Sequence, residues 1–350
     1  MKRAMRVKPA DGIRAFRLWE VLVTGTLILL TLGICTCLGS VDLSPRDVLE
    51  AISGFLRGET AGRSATILLN VRLPRVLCVA LCGAALSLCG AAMQGLLKNP
   101  LADGSTLGVS SGASLGAALA MAFGIQIPGT TVAGPMLMSM VFAFGSLILI
   151  LSLSFAMDRN LSTQSMILIG VIFTMFISSL MTMILTFSGE KIRTITFWTM
   201  GSFASSSYSN VLIYSAGLTV CAAVLLCCAR ELNAFSVGEE NALSVGVDVR
   251  RVKLTVLICV SVLIGVCVSM NGTIAFVGLV TPHMVRMITG PNHCRLLPAS
   301  MAFGAIFLML ADLAARILLR PLELPVGAVT SIIGGVVFML IFYQSRRDKR

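Results

Sequence analysis

The segment QGLLKNPLADGSTLGVSSGAS, residues 94–114, is a polar interruption between two apolar stretches. Pro100 lacks a backbone N–H and disfavours the helical conformation at Asn99, so we expect a helix to end there. The side chains of Asn99, Asp103 and Ser105 can then cap the exposed backbone groups. Irregular backbone is tolerated at membrane depth only where it is buried in protein or lines a water-filled cavity. The segment therefore predicts two membrane helices joined by a structured loop.

The composition of the chain extends this interpretation to a polytopic membrane protein. The 350 residues are 56% hydrophobic and 12% charged, with a mean hydropathy of +0.93, whereas soluble domains carry about 25% charged residues. Continuous apolar runs rich in Leu, Ala and Gly predict an all-α fold rather than a β-barrel. About ten transmembrane helices are expected, at residues 18–39, 71–95, 105–123, 135–157, 164–187, 209–229, 254–270, 274–289, 297–319 and 325–344.

Charge distribution predicts the domain limits and the orientation. We expect a basic tail at 1–17, one transmembrane domain at 18–345 and a second basic tail at 346–350. The first apolar run is too long for a signal peptide and lacks an A-x-A-like site, so it is predicted to be a retained span. About two-thirds of the 27 lysines and arginines then lie on the side of both termini, which predicts a cytoplasmic N-terminus and C-terminus. The net charge of +11 reflects span ends and tails and does not indicate a nucleic-acid partner.

Small residues recur at every fourth position in three predicted spans. Such ridges let helix backbones approach each other closely in lipid. Two interpretations stay open, namely static close packing and sliding of helices during a transport cycle. The ridges are Gly83/Ser87/Ala91/Gly95, Gly108/Gly112/Gly116/Ala120 and Gly327/Ser331/Gly335.

The segment ELNAFSVGEENALSVGVDVRRVK, residues 231–253, is too polar to cross a membrane. The spacing Ser236-x-x-Glu239 fits a capping box, and Gly246 fits the position that follows a helix C-terminus. A short helix at about 237–245 is therefore expected. It is either a docking element for a partner protein or a surface helix that only connects two spans.

Two outer segments are predicted to form short helices. Residues 43–58 offer Ser44 as an N-cap and Pro45 at the first helical position. Residues 191–203 offer Trp198 as an interfacial anchor.

Charged residues also mark the outer ends of two spans. Asp312 and Arg316 are four residues apart, so they can pair on one helix face. Arg72 and Arg75 flank a proline at the outer end of the second span. We expect the three arginines to face outwards, where they would dock an acidic partner or extend towards lipid headgroups.

The cysteines and histidines favour packing roles. Cys78, Cys82 and Cys89 share one helix face, but no CxxC motif or histidine accompanies them. His283 and His293 lie ten residues apart without an acidic neighbour, which disfavours metal ligation or acid–base chemistry. We predict no metal site and no catalytic residues.

Four motifs occur in order along the chain and carry a family resemblance. They are RLPRVLCVALCGAALSLCGAAMQGLLKNPLADGSTLGVSSGAS, SVGEENALSVGV, AFVGLVTPHMVR and ADLAARILLRPLELPVGAVTSIIGG. Together they resemble the iron-siderophore and cobalamin permeases of bacterial ABC importers, over roughly residues 20–345.

The resemblance implies a type II ABC importer permease of the bacterial cytoplasmic membrane. Such permeases form homodimers or close heterodimers with ten helices per subunit and a translocation path at the subunit interface. Two cytoplasmic ATPase subunits, which bind ATP and Mg²⁺, power them, and an extracytoplasmic binding protein delivers the chelate. A ferric siderophore is the commonest cargo of the family, and haem and cobalamin are the alternatives.

The resemblance also implies roles for individual residues. A coupling helix at 236–247 would meet the ATPase through Ser236, Gly238, Glu239, Ala242 and Gly246. A cytoplasmic gate would consist of Asn99, Leu101, Ser162 and Thr163. Docking of the binding protein would use Arg72, Arg75 and Arg316.

One residue departs from the family pattern. Gly104 stands where these permeases usually have a proline after the acidic residue. A looser start of the third predicted span is expected from this replacement.

The residues bear on three wider classes of function. No lysine follows a glycine in the chain, so it contains no Walker A motif, and an ATP-driven system would need a separate ATPase subunit. A secondary transporter would use Asp312 as an ion carrier, but this well-embedded acid already has Arg316 beside it. A membrane enzyme would need a set of nucleophile, base and orienting group, which the sequence does not offer. We therefore expect a transport subunit that holds no cofactor of its own.

Overall fold

The computed structural model describes residues 16–41, 44–56, 62–127, 133–158 and 162–347. Apart from isolated bridges at Ile127 and between Leu319 and Leu322, the regular structure in these ranges is helical. Short 3₁₀ turns lie at Gly104–Leu107 and Gly189–Lys191, and a π-helical stretch lies at Ile67–Arg72. The helices are α1 (Leu18–Cys37), α2 (Pro45–Leu56), α3 (Arg63–Thr66), α4 (Leu73–Leu96), α5 (Val109–Phe123), α6 (Ala133–Met157), α7 (Thr163–Phe187), α8 (Ile192–Thr199), α9 (Tyr208–Cys227), α10 (Ala229–Val237), α11 (Glu239–Ser244), α12 (Val249–Asn271), α13 (Val277–Thr289), α14 (His293–Ile317) and α15 (Val326–Arg347).

All ten segments predicted to span the membrane are helical. Among the described residues, seven helices are long and apolar enough to cross a bilayer, and α5 and part of α15 form shorter apolar helices. The helix α13 has 13 residues and is about 20 Å long, which is less than a hydrocarbon core of ~30 Å. The structure therefore confirms an all-α polytopic fold, in which the predicted spans at α5 (15 residues) and α13 are each shorter than the hydrocarbon core.

The start of the second predicted span was placed too late. A continuous helical stretch covers Ser64–Leu96, 33 residues, because the π-helical turn joins α3 to α4 without a break. Pro74 lies in the first turn of α4, and because a proline there is typical of a helix N-terminus, the local pattern gave no reason to extend the helix upstream.

The helix α4 forms the centre of the molecule. It packs against α14, α13, α12 and α9, while α5 packs along α6. The helices α4 and α12 are the most buried of the seven long apolar helices, and α1 and α7 are among the least buried. The core is thus built around α4 and α12, with α1 and α7 at the periphery.

The ridges on α4 and α5 are sites of close helix packing. A Cβ atom at Gly83 would clash with the carbonyl oxygen of Gly304 in α14, and one at Gly112 with the hydroxyl of Ser146 in α6. The ridge on α15 is only partly in contact with other helices, because a Cβ at Gly335 would meet none of the described residues within 4 Å. For α4 and α5 the structure agrees with static packing, and the sliding interpretation stays a prediction.

We call the end of the helix bundle that holds residues 97–108, α10 and α11 the inner end, and the end that holds α2 and α8 the outer end. At the outer end, Ser44 caps α2 as predicted, since its hydroxyl accepts the N–H of Asp47 at 3.2 Å. The Ser44 hydroxyl also donates to the Asp47 carboxylate at 2.7 Å, which lowers the pKa of Asp47. The predicted end of this helix near Gly58 lies outside the described residues.

Candidate functional site

The polar loop at the inner end follows α4 directly. The helix ends at Leu96 and Lys98 adopts a positive φ of 49°, so the chain leaves the helix just before Asn99 and Pro100. The Asn99 Oδ1 accepts the N–H of Leu101 at 2.9 Å, and the Asn99 carbonyl accepts the N–H of Ala102 at 3.0 Å. The predicted helix break and the capping role of Asn99 are confirmed.

The second half of the loop is fixed by Asp103. Its Oδ1 accepts both the N–H and the hydroxyl of Ser105, at 3.0 and 2.7 Å. A 3₁₀ turn begins at Gly104, and α5 starts only at Val109, four residues later than predicted. A Cβ at Gly104 would clash with the side chain of Ile264 in α12. The glycine therefore permits the loop to approach α12 closely. The sequence predicted only a looser start of the third span at this position.

A cavity of about 280 Å³ opens beside this loop, between α5, α7 and α12. Its lining is rich in hydroxyl groups and small residues, and the loop contributes Asp103 and Ser105. This placement agrees with the expectation that irregular backbone at membrane depth lines a cavity.

The two other predicted gate residues begin α7. Ser162 is the N-cap, and its hydroxyl oxygen accepts the N–H of Ser165 at 3.4 Å. The N–H of Ser162 donates to the Asp158 carboxylate at 3.1 Å. Thr163 is the first residue of the helix. The structure thus places Ser162 and Thr163 at a defined helix start, while the side-chain contact of Asn99 stays within its own loop.

The predicted coupling segment forms two helices instead of one. Ser236 lies inside α10, where its hydroxyl donates to the carbonyl of Leu232 at 3.2 Å, so the predicted capping box with Glu239 is wrong. The break falls at Gly238, whose φ of 145° is unfavourable for other residues. The predicted end at Gly246 is confirmed, with a φ of 87° and N–H donors of Gly246 and Val247 satisfying the carbonyls of Leu243 and Ala242.

Glu239, the first residue of α11, connects that helix to two helices of the transmembrane domain. Its Oε1 accepts the hydroxyl of Thr163 in α7 at 3.3 Å, and its Oε2 lies 2.8 Å from Nζ of Lys253 in α12. The Lys253 side chain is 0% exposed and that of Glu239 is 32% exposed. Because Lys253 is shielded from water, this ion pair is less screened than a surface pair.

A second set of contacts fixes α10 to the start of α14. The Oδ1 of Asn233 accepts the N–H of His293 at 2.8 Å and lies 2.9 Å from its Nδ1. The Nδ2 of Asn233 donates to Oδ1 of Asn292, the N-cap of α14, at 2.9 Å. One of the two histidines therefore has a structural role at the inner end.

The tip of the coupling segment is apolar and exposed. Val237, Leu243 and Val245 are 73%, 59% and 74% exposed, whereas Ala242 is fully buried. These three side chains lie outside the long apolar helices, in a segment too polar to enter a bilayer. We call Val237, Leu243 and Val245 the apolar tip.

The predicted docking arginines at the outer end are buried, so the expectation that they face outwards is wrong for this conformation. Arg75 donates to Asp312 Oδ1 at 2.9 Å from Nη2 and to Glu323 at 2.8 Å from Nη1. The Asp312 Oδ2 lies 2.9 Å from Nε of Arg316, which confirms the predicted pair. The sequence spacing did not reveal that Arg75 completes this cluster.

Two of these arginines also cap α1. Arg316 donates to the carbonyls of Cys35 and Leu38, each at 3.0 Å, and Arg72 donates to that of Cys37 at 2.5 Å. The last carbonyls of a helix lack partners within the helix and carry its negative dipole end, so guanidinium groups stabilise them. The outer arginines thus hold α1 against α4 and α14.

Comparison with known proteins decides the family. Residues 26–344 match the model of the FecCD transport family. The chain belongs to that family. This membership, together with the permease relatives described below, makes it the permease subunit of an ABC importer, a transport subunit rather than an enzyme.

Curated relatives of this FecCD permease cover most of its length. The uncharacterized ABC transporter permease protein YvrB of Bacillus subtilis is 42% identical over 81% of this chain and 80% of its own. The molybdate import system permease protein MolB of Haemophilus influenzae is 35% identical over 80% and 82%. The iron(3+)-hydroxamate import system permease protein FhuB of Bacillus subtilis is 34% identical over 95% and 86%.

A solved structure supports the same assignment at the level of the fold. A metal-chelate type ABC transporter in an inward-facing conformation matches with a TM-score of 0.82 and 31% identity, over 93% of this FecCD permease and 99% of that chain. The ion-coupled alternative is therefore not retained, and Asp312 belongs to a buried cluster between helices.

Three residues of the site were missed from the sequence. Lys253 was counted only as an inner positive charge, although it lies 14 positions after Glu239 and pairs with it. The local sequence does not mark Asn233 or Glu323, because their partners lie more than 50 positions away in the chain. Only tertiary contact identifies such residues.

Proposed function

We propose that this chain imports a ferric siderophore across the cytoplasmic membrane by alternating access. Two separate ATPase subunits would supply the energy and dock on α11, and an extracytoplasmic binding protein would deliver the chelate at the outer end. Both chain termini and the inner end would face the cytoplasm. Closure of the ATPases would move α11 and exchange an open outer gate for an open inner gate.

The apolar tip is the observation that carries this proposal. A segment between two spans normally keeps large aliphatic side chains covered, and exposed apolar clusters on such a segment favour a protein contact. The Gly246 turn that ends α11 and the anchor at Asn233 hold the apolar tip in one position. A rigid, exposed and apolar projection suits the docking of a partner subunit better than a connection that serves only to link two spans.

The exposed face of α7 supports a second permease copy and a path between copies. Large apolar side chains cover this face, including Leu168, Ile172, Met175 and Phe176. The exposed apolar side chains of this face run from Leu168 to Phe187, the last residue of the helix. A neutral wall of this kind fits a bulky chelate that satisfies the metal with its own donor atoms. Bilayer lipid would cover the remaining apolar surface.

The predicted docking role of Arg72, Arg75 and Arg316 stays a prediction. Acidic side chains of a binding protein would have to compete with Asp312, Glu323 and the α1 carbonyls for these guanidinium groups. Glu323 is the exposed member of the cluster, at 30%, so exchange would begin at its bond to Arg75.

The cargo can be tested by uptake into cells. A strain that lacks this permease should be given ⁵⁵Fe-loaded hydroxamate siderophore, ⁵⁵Fe-haemin, ⁵⁷Co-cobalamin and ⁹⁹Mo-molybdate in parallel. We expect only siderophore uptake to fall to background and to return with a plasmid copy of the gene. Loss of haemin, cobalamin or molybdate uptake with intact siderophore uptake would contradict the proposed cargo.

A further inference from the structure

Glu239 lies where two regions of the proposed mechanism meet. The coupling helix α11 begins at Glu239, and the predicted gate helix α7 begins at Thr163. The hydroxyl of Thr163 donates to Oε1 of Glu239 at 3.3 Å. A direct hydrogen bond thus joins the first residues of the two helices.

The opposite oxygen of the same carboxylate is held by a buried cation. Nζ of Lys253 in α12 lies 2.8 Å from Oε2 of Glu239, and the lysine side chain is 0% exposed. The carboxylate therefore points into the molecule, towards α7 and α12. A glutamate that served mainly to attract an ATPase would have no need of two internal partners.

We propose that Glu239 is a positioning residue that transmits movement of α11 to the gate helix α7. This inference rests on the proposed function, because it assumes that an ATPase moves α11. The Thr163 hydroxyl is the receiving group, and Lys253 holds the carboxylate in the orientation that the hydroxyl needs. Contact with the ATPase falls to the apolar tip.

The difference in burial between α7 and α12 indicates which of the two helices moves when α11 moves. In the most apolar 18-residue stretch of each helix, 78% of the residues are buried in α12 and 17% in α7. Within this chain, α12 is fixed in the core, whereas α7 lies at the periphery and packs chiefly against α5 and α6. A movement of α11 that keeps its bond to Thr163 therefore displaces α7 more easily than α12.

The hydrogen bond between Glu239 and Thr163 lies at the first residue of α7, so a displacement of α11 acts on the start of that helix. Thr163 follows the N-cap Ser162, and the helix continues for 25 residues, about 37 Å. Intrahelical hydrogen bonds make such a helix move as a unit, so displacement of its first turn shifts the exposed apolar face along its length.

The test uses the intact transporter, purified with its ATPase subunits in lipid nanodiscs. Amide hydrogen exchange of α11 and of the first two turns of α7 is measured with and without ATP, Mg²⁺ and vanadate. The decisive variant is Thr163→Val, which removes the hydroxyl with little change of shape. Thr163→Ser retains the hydroxyl, and Glu240→Gln removes a neighbouring exposed carboxylate of the same helix.

In the wild type, Thr163→Ser and Glu240→Gln, the nucleotide should change exchange in both α11 and α7. In Thr163→Val the response of α11 should persist, whereas the response of α7 should fall by about threefold or more, as expected for loss of an ordinary side-chain hydrogen bond. An α7 response of wild-type size in Thr163→Val overturns the inference. So does a wild type in which only α11 responds.

A second variant separates transmission from docking. Glu239→Gln should still co-purify with the ATPase, because the apolar tip is unchanged. Loss of the ATPase from Glu239→Gln would identify Glu239 as a docking contact and overturn the inference. Failure of the wild-type chain to co-purify with any ATPase would instead contradict the proposed function, so the two failures are distinguishable.

Discussion

Asp312 in α14 accepts two hydrogen bonds from the guanidinium of Arg75 in α4, through Nε at 3.2 Å and Nη2 at 2.9 Å. The two residues join the pair of helices that forms the centre of the bundle. Both are buried, and Arg316 contacts the second oxygen of the same carboxylate. A buried carboxylate between two guanidinium groups is a charged cluster in which the loss of one member leaves the others uncompensated.

Replacement of Asp312 should therefore destabilise the protein strongly. Asp312→Asn leaves Arg316 without its carboxylate partner and Arg75 with only the partly exposed Glu323, and it should lower the free energy of unfolding by about 3–5 kcal/mol. Glu323→Gln removes a partly exposed partner of the same Arg75 and should cost about 1 kcal/mol or less. Denaturation of the purified protein in one detergent measures both. Equal losses for the two variants would contradict the assigned burial.

The cap on α1 gives a prediction for local stability. Arg316→Lys keeps the positive charge, but its three N–H donors share one nitrogen, whereas Cys35, Leu38 and Asp312 are contacted by three different nitrogens of the guanidinium group. Amide exchange over residues 34–38 should accelerate, because a helix end that loses its partners frays more readily. Arg193→Lys, an exposed outer arginine that stacks on Phe197, is the matched control and should leave that segment unchanged. Unaltered exchange in Arg316→Lys would show that α1 ends without this cap.

A pair of glycine substitutions tests the packing of α4. A Cβ at Gly90 would clash with the backbone of Gly278 in α13, whereas no atom of the described residues lies within 4 Å of a Cβ at Gly145 in α6. Gly90→Ala should lower stability by about 1–3 kcal/mol. Gly145→Ala should be neutral or stabilising by up to about 1 kcal/mol, since alanine favours the helix. Thermal unfolding in detergent decides the point, and a neutral Gly90→Ala would mean that α13 lies farther from α4.

The apolar tip gives a prediction for assembly. Leu243→Asp and Val245→Asp place a charge where an apolar contact is proposed, so the amount of co-purifying ATPase should fall by about tenfold or more. Ser244→Asp adds the same charge to an exposed polar position of α11 and should have a smaller effect. Protein levels in the membrane should match the wild type in all three. Equal loss in all three variants would indicate a response to charge alone.

The sequence was sufficient for the fold because each span is a local feature. Apolar length located all ten helices, and the Pro100 break, the Ser44 cap and the Gly246 turn follow from backbone chemistry within a few residues. The capping box at Ser236 failed for a related reason. The same residue pattern also fits a serine inside a helix, where its hydroxyl returns to the carbonyl four residues earlier.

The site could be predicted only in part, because its contacts join distant segments. Arg75 and Asp312 are 237 positions apart, and Thr163 and Glu239 are 76 positions apart. Family resemblance selected Glu239, Thr163 and Arg75 as functional residues, but it did not indicate their partners. Whether an arginine near a span end faces water, lipid or protein depends on neighbouring helices, which a single span does not specify.

The most direct test of the account is transport by the reconstituted system. Proteoliposomes should contain this chain, its ATPase and external binding protein loaded with ⁵⁵Fe-siderophore, with ATP and Mg²⁺ supplied to the side that carries the ATPase. We predict that ⁵⁵Fe accumulates across the membrane only when ATP is hydrolysed and that a proton or sodium gradient alone drives none. Accumulation driven by an ion gradient without ATP, or no ATP-dependent accumulation by an assembled and hydrolytically active complex, would contradict the account.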